Sequence, residues 1–163
     1  MFSPSAATLF GLRPNRLSRK RIALIADAGT PVISDPGYSL VRVLIDEGVS
    51  MSAIPGATAV VTALILSGLP PDRFAFYGYV PRKRGEREKA AREAEANPAT
   101  SIFFESPHRL LKTLETFAAI MPGREIVVAR ELTKLHEEIR RGTAAELVAH
   151  FTAAAPRGEI TLL

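Results

Sequence analysis

Apolar residues in the first half of the chain occur in short blocks whose period changes from one block to the next. The predominantly apolar runs 22–26 and 49–54 each end in a loop rich in Gly and Pro, which is typical of buried strands. The blocks 40–45 and 57–67 follow helical spacing, and each ends at a glycine. Strand, helix, strand, helix at this spacing predicts an α/β unit with a parallel sheet.

The second half predicts more strands and helices. Apolar alternation predicts a strand over 73–80, and further short strands are predicted over 100–104, 125–129, 137–142 and 159–163. Helices are predicted over 86–96, from an N-cap at Ser106 to Met121, and from the capping box Thr143–Glu146 to Phe151. Strand 137–142 has one strong apolar residue and is expected at a sheet edge. Two consecutive prolines in Gly68–Pro71 predict a linker between a partial first domain, 22–69, and a second domain, 72–163.

Composition limits the possible chemistry. The 163 residues are 47% hydrophobic and 23% charged, which is typical of a globular protein. Cysteine is absent, which excludes disulfides, thiolate zinc sites and cysteine nucleophiles and suits a reducing cytoplasm. No apolar stretch approaches the roughly 20 residues that a membrane-spanning helix needs, so a soluble protein is expected. No metal site is predicted.

The net charge of +4 is concentrated at the start of the chain. Five of the 21 basic residues precede Asp27, and none of the 17 acidic residues does. Residues 1–21 are interpreted as a disordered basic leader, with an RNA-contacting arm and an organelle presequence as alternatives.

Three loops of small residues follow the predicted elements of the first half, at 27–31, 34–37 and 55–58. In an open α/β sheet, ligands bind in the crevice at the carboxyl ends of the strands. Small residues there let backbone N–H and C=O groups approach a nucleoside closely. For any one loop alone, an ordinary strand-to-helix turn explains the composition as well.

Together these segments resemble the ribosomal RNA small-subunit methyltransferase I family of the tetrapyrrole methylase superfamily. The resemblance rests on the loops 27–37 and 55–59, and it continues through Ser67–Phe74, Gly78–Lys83, Glu105–Arg109, Ala129–Glu138 and Arg157–Glu159, in family order. Residues 1–21 do not resemble the family's opening strand and Gly-rich loop, so the first domain is expected to be incomplete. The resemblance implies an α/β, tetrapyrrole-methylase-like two-domain fold whose second domain is a mixed sheet with helices. It also implies a homodimer.

The resemblance implies that S-adenosylmethionine lies in a cleft between the two domains. The first-domain residues that it places against the cofactor are Asp27, Gly29, Thr30, Pro31, Ile33, Ala57 and Thr58. The second-domain residues that it places on the adenosine side are Phe104, Ala129 and Gly158. The implied reaction is 2′-O-methylation of a cytidine ribose in small-subunit (16S) ribosomal RNA.

Glu105, Glu131 and His136 are the candidate catalytic residues, as base or orienting group for the ribose hydroxyl. Each has a structural alternative: a carboxylate at a helix N-terminus, a solvated charge run, and a satisfied structural histidine. RNA phosphates are expected to contact six basic residues of the second domain, since Lys and Arg neutralise phosphates whatever the base sequence. These are Arg82, Lys83, Arg84, Arg109, Arg130 and Lys134.

Two other functions stay open. A methyltransferase acting on a tetrapyrrole or another small acceptor would share the fold, although the basic loop 81–84 and the segment 131–134 favour RNA. A non-catalytic chain that binds RNA or a partner protein through its second domain would explain the unmatched opening region.

Overall fold

A computed structural model describes residues 22–27 and 29–163, and the basic leader lies outside the described residues. The chain divides into two compact units, residues 1–58 and 59–163. The division falls before the second predicted helix, whereas the linker predicted at Gly68–Pro71 follows that helix. The helix packs on the sheet of the second unit, so it belongs with that unit.

In the first unit, helix α1 spans Tyr38–Asp46 and confirms the helix predicted from the spacing of 40–45. The strands predicted over 22–26 and 49–54 are wrong for the described structure, which has no strand in either segment. Ile25 is 84% exposed and Ile54 is 93% exposed. A strand exists only when its backbone groups pair with a neighbour, and the described residues supply no neighbour here.

The second unit contains every strand in the described residues. In chain order its elements are α2 (Ala59–Ser67), β1 (Phe74–Tyr79), α3 (Arg84–Ala96), β2 (Thr100–Glu105), α4 (Leu110–Ile120), β3 (Glu125–Arg130), β4 (Glu138–Thr143), α5 (Ala144–Ala153) and β5 (Ile160–Leu162). The sheet order is β1-β2-β5-β3-β4. β1 runs parallel to β2, while β5 runs antiparallel to β2 and β3, and β4 runs antiparallel to β3. The mixed sheet is therefore confirmed, with β4 at its predicted edge.

Each face of this sheet has its own core, because successive residues of a strand point to opposite faces. Phe103 points toward α3, α4 and α5, where Leu114, Phe117 and Phe151 complete the larger cluster. Ile102 points to the other face, where α2 covers it with residues that include Ala63. Arg141 of β4 donates hydrogen bonds to the carbonyls of Leu66 and Ser67 at the end of α2. A cation at a helix C-terminus satisfies free carbonyls and stabilises the helix dipole, which ties α2 to the sheet.

A side-chain cap is present at the start of α5 but not at the starts of α1, α3 and α4. Thr143 and Glu146 form the predicted capping box at the start of α5. The side chain of Ser106 does not cap α4, which begins at Leu110 after a turn; instead the Ser106 carbonyl accepts from the backbone N–H groups of Arg109 and Leu110. Within residues 22–27 and 29–163, the helices are too short or too polar to cross a membrane.

Candidate functional site

The ends of five strands meet along one side of the sheet in the second unit. Because β1, β2 and β3 run one way and β4 and β5 the other, the last residues of the first three lie beside the first residues of the other two. Ile160 pairs with Glu105 on one side and with Arg130 on the other, and Arg130 also pairs with Glu138. We call this side the carboxyl edge, formed by Tyr79, Glu105, Arg130, Glu138, Ile160 and the loops attached to them.

The predicted adenosine-side positions lie together at this edge. Phe104 of β2 and Ala129 of β3 are both paired with Thr161 of β5, one on each side. Both belong to the cluster on the α2 face of the sheet, and Gly158 lies in the loop that leads into β5. β2 and β3, which are distant in sequence, thus place Phe104 and Ala129 on either side of β5.

Glu105 is a positioning residue in this structure, and its predicted role as a base or substrate-orienting group does not fit its surroundings. It is only 3% exposed. Its Oε1 accepts from the Ser106 backbone N–H at 2.6 Å and lies 2.5 Å from Arg109 Nη2, while its Oε2 accepts from Thr113 Oγ1 at 2.5 Å. With both oxygens occupied, the carboxylate fixes the turn before α4 and has no free access to a hydroxyl. No local pattern predicts the contact with Thr113, which forms when α4 packs on β2.

Glu131 joins the loop after β3 to the loop before β5. Its Oε1 accepts hydrogen bonds from the Glu159 backbone N–H and from Lys134 Nζ, both at 2.9 Å. The Glu159 amide, followed by the Lys134 ammonium, lowers the pKa of Glu131 below its ordinary value. A lowered pKa makes a carboxylate a weaker proton acceptor, whereas a general base at neutral pH needs a raised one. These contacts indicate that Glu131 holds the two loops together and does not act as a base. We call this contact of Glu131 with Lys134 and Glu159 the clamp.

Gly158 is required by this clamp. Its φ is +83°, a left-handed conformation that side chains rarely adopt. A Cβ added there would lie 2.1 Å from Glu131 Oε1, well inside van der Waals contact. A glycine at this position thus lets the backbone of the predicted adenosine-side loop approach Glu131 directly.

Glu138 at the start of β4 is the most heavily paired carboxylate of the edge. It binds Arg130 through two nitrogens at 3.0 and 2.9 Å, Arg140 Nε at 2.8 Å and His150 Nε2 at 3.2 Å. These partners, with Arg140 first, lower its pKa to about 2. Glu138 and His150 had no predicted role. They come together because α5 folds back against β4, and no local sequence pattern predicts that contact.

His136 and Leu135 form the exposed tip of the loop between β3 and β4. Leu135 is 93% exposed, and His136 is exposed beside it. The loop has backbone hydrogen bonds from Lys134 to Glu131 and from Glu137 to Lys134, and Glu131 and Thr133 have positive φ values. Of the three predicted catalytic residues, Glu105 is buried, Glu131 is half-buried and His136 is exposed.

Five of the six cations predicted to contact RNA have a carboxylate partner within the chain. Lys83 pairs with Glu86, Arg84 with Glu88, Arg109 with Glu105, Arg130 with Glu138, and Lys134 with both Glu131 and Glu159. Arg82 is the exception: its exposed side chain has no ion pair in the described part of the chain. Four of these six pairs join residues three or four positions apart in the sequence, whereas Arg130–Glu138 and Lys134–Glu159 form when strand ends come together.

In the first unit, the predicted cofactor loops contact each other. Thr30 Oγ1 donates a hydrogen bond to the Ala57 carbonyl at 3.2 Å, which joins loop 27–37 to loop 55–58. Gly37 is buried with φ +140°, and a Cβ there would lie 2.9 Å from a methyl carbon of Leu24. Val32 has a φ of +76°, a strained value for a β-branched residue.

The residues present suit a nucleoside-type cofactor in each unit taken separately. Loops 29–31 and 55–58 offer the Thr30 and Thr58 hydroxyls and backbone carbonyl and amide groups between small side chains, and Ile33 is 46% exposed. Asp27 is exposed at the start of the first loop. In the second unit, Gly158 offers backbone without a side chain, and Phe104 supplies an aromatic ring that is half-buried. Within the described residues, His, Asp and Glu form no cluster that could hold a metal ion.

A mixed sheet with helices on both faces and loops gathered at the carboxyl edge is an arrangement found in methyltransferases of the tetrapyrrole class. The family model of the Tetrapyrrole (Corrin/Porphyrin) Methylases matches residues 6–148, and the chain belongs to this family. Its fold is similar to that of the methyltransferase CobJ, with a TM-score of 0.57 and 22% identity over 82% of this chain and 60% of the other. It is also similar to diphthine synthase, with a TM-score of 0.58 and 16% identity over 83% and 56% of the two chains.

Curated relatives indicate a particular branch of the family. The chain is 49% identical over 88% of its length to the Ribosomal RNA small subunit methyltransferase I of Halalkalibacterium halodurans, and covers 50% of that protein. It is 42% identical over 88% of its length to the protein of the same name from Thermotoga maritima, and covers 64% of it. The corresponding Bacillus subtilis protein is 45% identical over 90% of this chain and 50% of its own length. The chain thus spans about half to two thirds of the length of these relatives.

Proposed function

We propose that this chain supports S-adenosylmethionine-dependent 2′-O-methylation of a cytidine ribose in small-subunit (16S) ribosomal RNA. The observation that carries the proposal is the carboxyl edge, where Phe104 and Ala129 flank Thr161 beside the loop of Gly158. The names of the relatives supply the reaction class, since they are small-subunit rRNA methyltransferases.

Each unit, taken by itself, has backbone-rich loops that are proposed cofactor contacts. In the first unit these include Thr30 and Ala57, which are hydrogen-bonded to each other, and in the second unit they include the Gly158 loop. When bound, S-adenosylmethionine supplies a methyl group activated by a sulfonium. Glu131 would keep the Gly158 loop in place through its hydrogen bond from the Glu159 amide. The protein's contribution is then mainly the alignment of donor and acceptor.

His136 is the proposed acceptor for the proton of the ribose hydroxyl. Glu105 is buried with both oxygens occupied, and the lowered pKa of Glu131 makes that carboxylate a weak base. The His136 ring is exposed on a loop whose backbone is held by its own hydrogen bonds. In this role His136 would receive the proton as the oxygen forms its bond to the methyl carbon.

Cofactor binding is the first test. Calorimetry with S-adenosylmethionine is expected to show micromolar binding, and Thr30→Trp is expected to abolish it by filling the loop. Ser39→Trp, which adds the same bulk to the exposed surface of α1, is the matched control and should bind normally. Unchanged affinity of Thr30→Trp would remove Thr30 from the site. No binding at millimolar cofactor would leave a non-catalytic chain that binds RNA or protein.

The acceptor and the base are tested by transfer of a labelled methyl group to small ribosomal subunits, with digestion of the RNA to locate 2′-O-methylcytidine. His136→Ala is expected to lower kcat by about 100-fold, the usual contribution of a positioned acid or base, without changing cofactor affinity. An unchanged kcat would exclude His136 as the base. Transfer to a tetrapyrrole and not to RNA would replace the proposed substrate class.

The homodimer implied by the family resemblance is part of this proposal. Exposed apolar side chains of α2, Val61 at 41% and Ile65 at 74%, are compatible with such a contact. Light scattering after size-exclusion chromatography would give twice the mass of the chain, and a single-chain mass would exclude the dimer.

A further inference from the structure

Three cations of the carboxyl edge are held in ion pairs within the chain. Lys134 bridges Glu131 and Glu159, Arg130 binds Glu138, and Arg109 binds Glu105. Glu137 accepts a hydrogen bond from the Thr133 backbone N–H at 2.6 Å. The side chains of Arg109 and Arg130 are only 25% and 18% exposed, and Lys134 has two carboxylate partners, so each would lose existing ion pairs if it turned to bind a phosphate.

Two arginines at the carboxyl edge have no such ion pair in the described residues. Arg82 follows β1 and Arg157 precedes β5, and both are exposed. In the part of the chain that the structure describes, neither guanidinium has an ion pair or a hydrogen bond, while their backbone carbonyls are held by Arg87 and Arg130, respectively. The backbone of each arginine is thus fixed by a neighbouring side chain, and its own charge faces solvent.

The two arginines lie in loops at the carboxyl edge. Arg82 comes three residues after the end of β1, and Arg157 comes three residues before the start of β5. β2 is the strand between β1 and β5, so the two loops leave the sheet on either side of β2. A single strand of RNA that crosses the edge over β2 can therefore meet both arginines.

We infer that Arg82 and Arg157 are phosphate contacts for the RNA substrate and that Arg109, Arg130 and Lys134 serve the protein's own structure. The inference rests on the proposed function for the identity of the ligand. It assigns a role to Arg157, which the sequence did not single out, and it removes three of the six cations predicted to contact RNA. A guanidinium can donate two parallel hydrogen bonds to a phosphate, which suits it to this task.

The test is the salt dependence of binding to protein-free small-subunit rRNA, measured by filter binding over a series of salt concentrations. Each phosphate contact to a single strand contributes about 0.7 to the slope of log affinity against log salt. Arg82→Ala and Arg157→Ala are each expected to reduce the magnitude of the slope by about 0.7, and the double variant by about 1.4. Melting temperatures should not change, because both side chains are exposed.

Arg73→Ala is the matched control. Arg73 is also an exposed arginine without an ion pair in the described residues. It precedes β1, so it lies at the other end of that strand from the carboxyl edge. Its removal lowers the net charge equally and should leave the slope unchanged. Equal slope changes in all three variants would show a general charge effect and overturn the inference, as would no RNA binding by the unaltered chain.

The cofactor assay separates this inference from the proposed function. Arg157 adjoins Gly158, so a loss of S-adenosylmethionine affinity in Arg157→Ala with an unchanged salt slope would assign Arg157 to the cofactor and contradict the inference. Conversely, the salt slopes can be as expected in a chain that transfers no methyl group. In that case the RNA contacts stand and the proposed methyltransferase activity does not.

Discussion

The two compact units of the chain differ in where their apolar side chains lie. In residues 59–163, Phe151 is 1% exposed and Leu114 is fully buried between the sheet and its helices. In the described part of residues 1–58, α1 has no buried residue, and Ile54 is 93% exposed. Both units are rich in apolar residues, so composition alone does not explain the difference. What differs is the presence of paired strands against which helices can pack.

The predicted cofactor loops of the two units also differ. The Gly158 loop is held by ion pairs and hydrogen bonds among Glu131, Lys134 and Glu159. In the first unit, Thr30 donates a hydrogen bond to the Ala57 carbonyl, and Val32 has a strained conformation. The Gly158 loop is thus fixed by charged side chains, whereas the first-unit loops contact each other through a hydroxyl and the backbone.

The largest effect that tests this comparison is the removal of an aromatic ring from each unit. Phe151→Ala should lower the free energy of unfolding by about 3–5 kcal/mol, because it leaves a cavity in the larger core. Tyr38→Ala, the counterpart in α1, should change it by no more than about 0.5 kcal/mol, since Tyr38 is 68% exposed. Urea denaturation followed by circular dichroism measures both, and similar losses would show that the first unit also has a core.

A smaller effect is expected at the clamp. Gly158→Ala should cost about 1–3 kcal/mol of unfolding free energy, through its left-handed φ and the clash with Glu131. Gly85→Ala is the control, since no atom lies within 4 Å of a Cβ at that position in α3, and it should add about 0.4–1 kcal/mol. In a Glu131→Ala background, Gly158→Ala should cost less. An equal cost in both backgrounds would show that the clash with Glu131 is unimportant.

The sequence predicted the second unit well because its signals are local. The apolar run in 125–129, the capping box Thr143–Glu146 and the weak apolar content of 137–142 each predict a feature that depends on neighbouring residues. The same reasoning was wrong for 22–26 and 49–54, because a strand depends on a partner elsewhere in the chain. It also placed the start of the helix after β2 too early, at Ser106 instead of Leu110.

The chemistry was harder to predict than the fold. Residue types and their order identified the strand ends, and the pairing of Phe104 and Ala129 with Thr161 fits that reasoning. The electrostatic state of each side chain depends on contacts between elements. Arg130 looks like an available cation in the sequence, but in the structure it binds Glu138 at 2.9 Å. Likewise, the two carboxylate oxygens of Glu105 are occupied by Thr113 and Arg109, so they are not free to bind a substrate.

Acid should weaken the sheet edge in the second unit through Glu138. Its pKa is lowered to about 2 in the folded chain, from 4.5 in an unpaired glutamate. The ionised form is therefore favoured by folding, and its stabilisation is present above about pH 4.5 and lost as the pH falls toward 2. Glu138→Gln should melt a few degrees lower at pH 7 and lose less stability between pH 4.5 and 2. Glu125→Gln, at an exposed carboxylate without an ion pair in the described residues, should keep the normal acid profile.

The smallest effect concerns the segment for which sequence and structure disagree most. Residues 49–54 have the composition of a buried strand, yet the structure leaves Ile54 93% exposed. Ile54→Asp should therefore change the unfolding free energy by no more than about 0.5 kcal/mol. Val128→Asp, which places the same charge in a fully buried strand position, should prevent stable folding. A loss of several kcal/mol in Ile54→Asp would mean that 49–54 is packed in solution, because an exposed side chain cannot incur the cost of burying a charge.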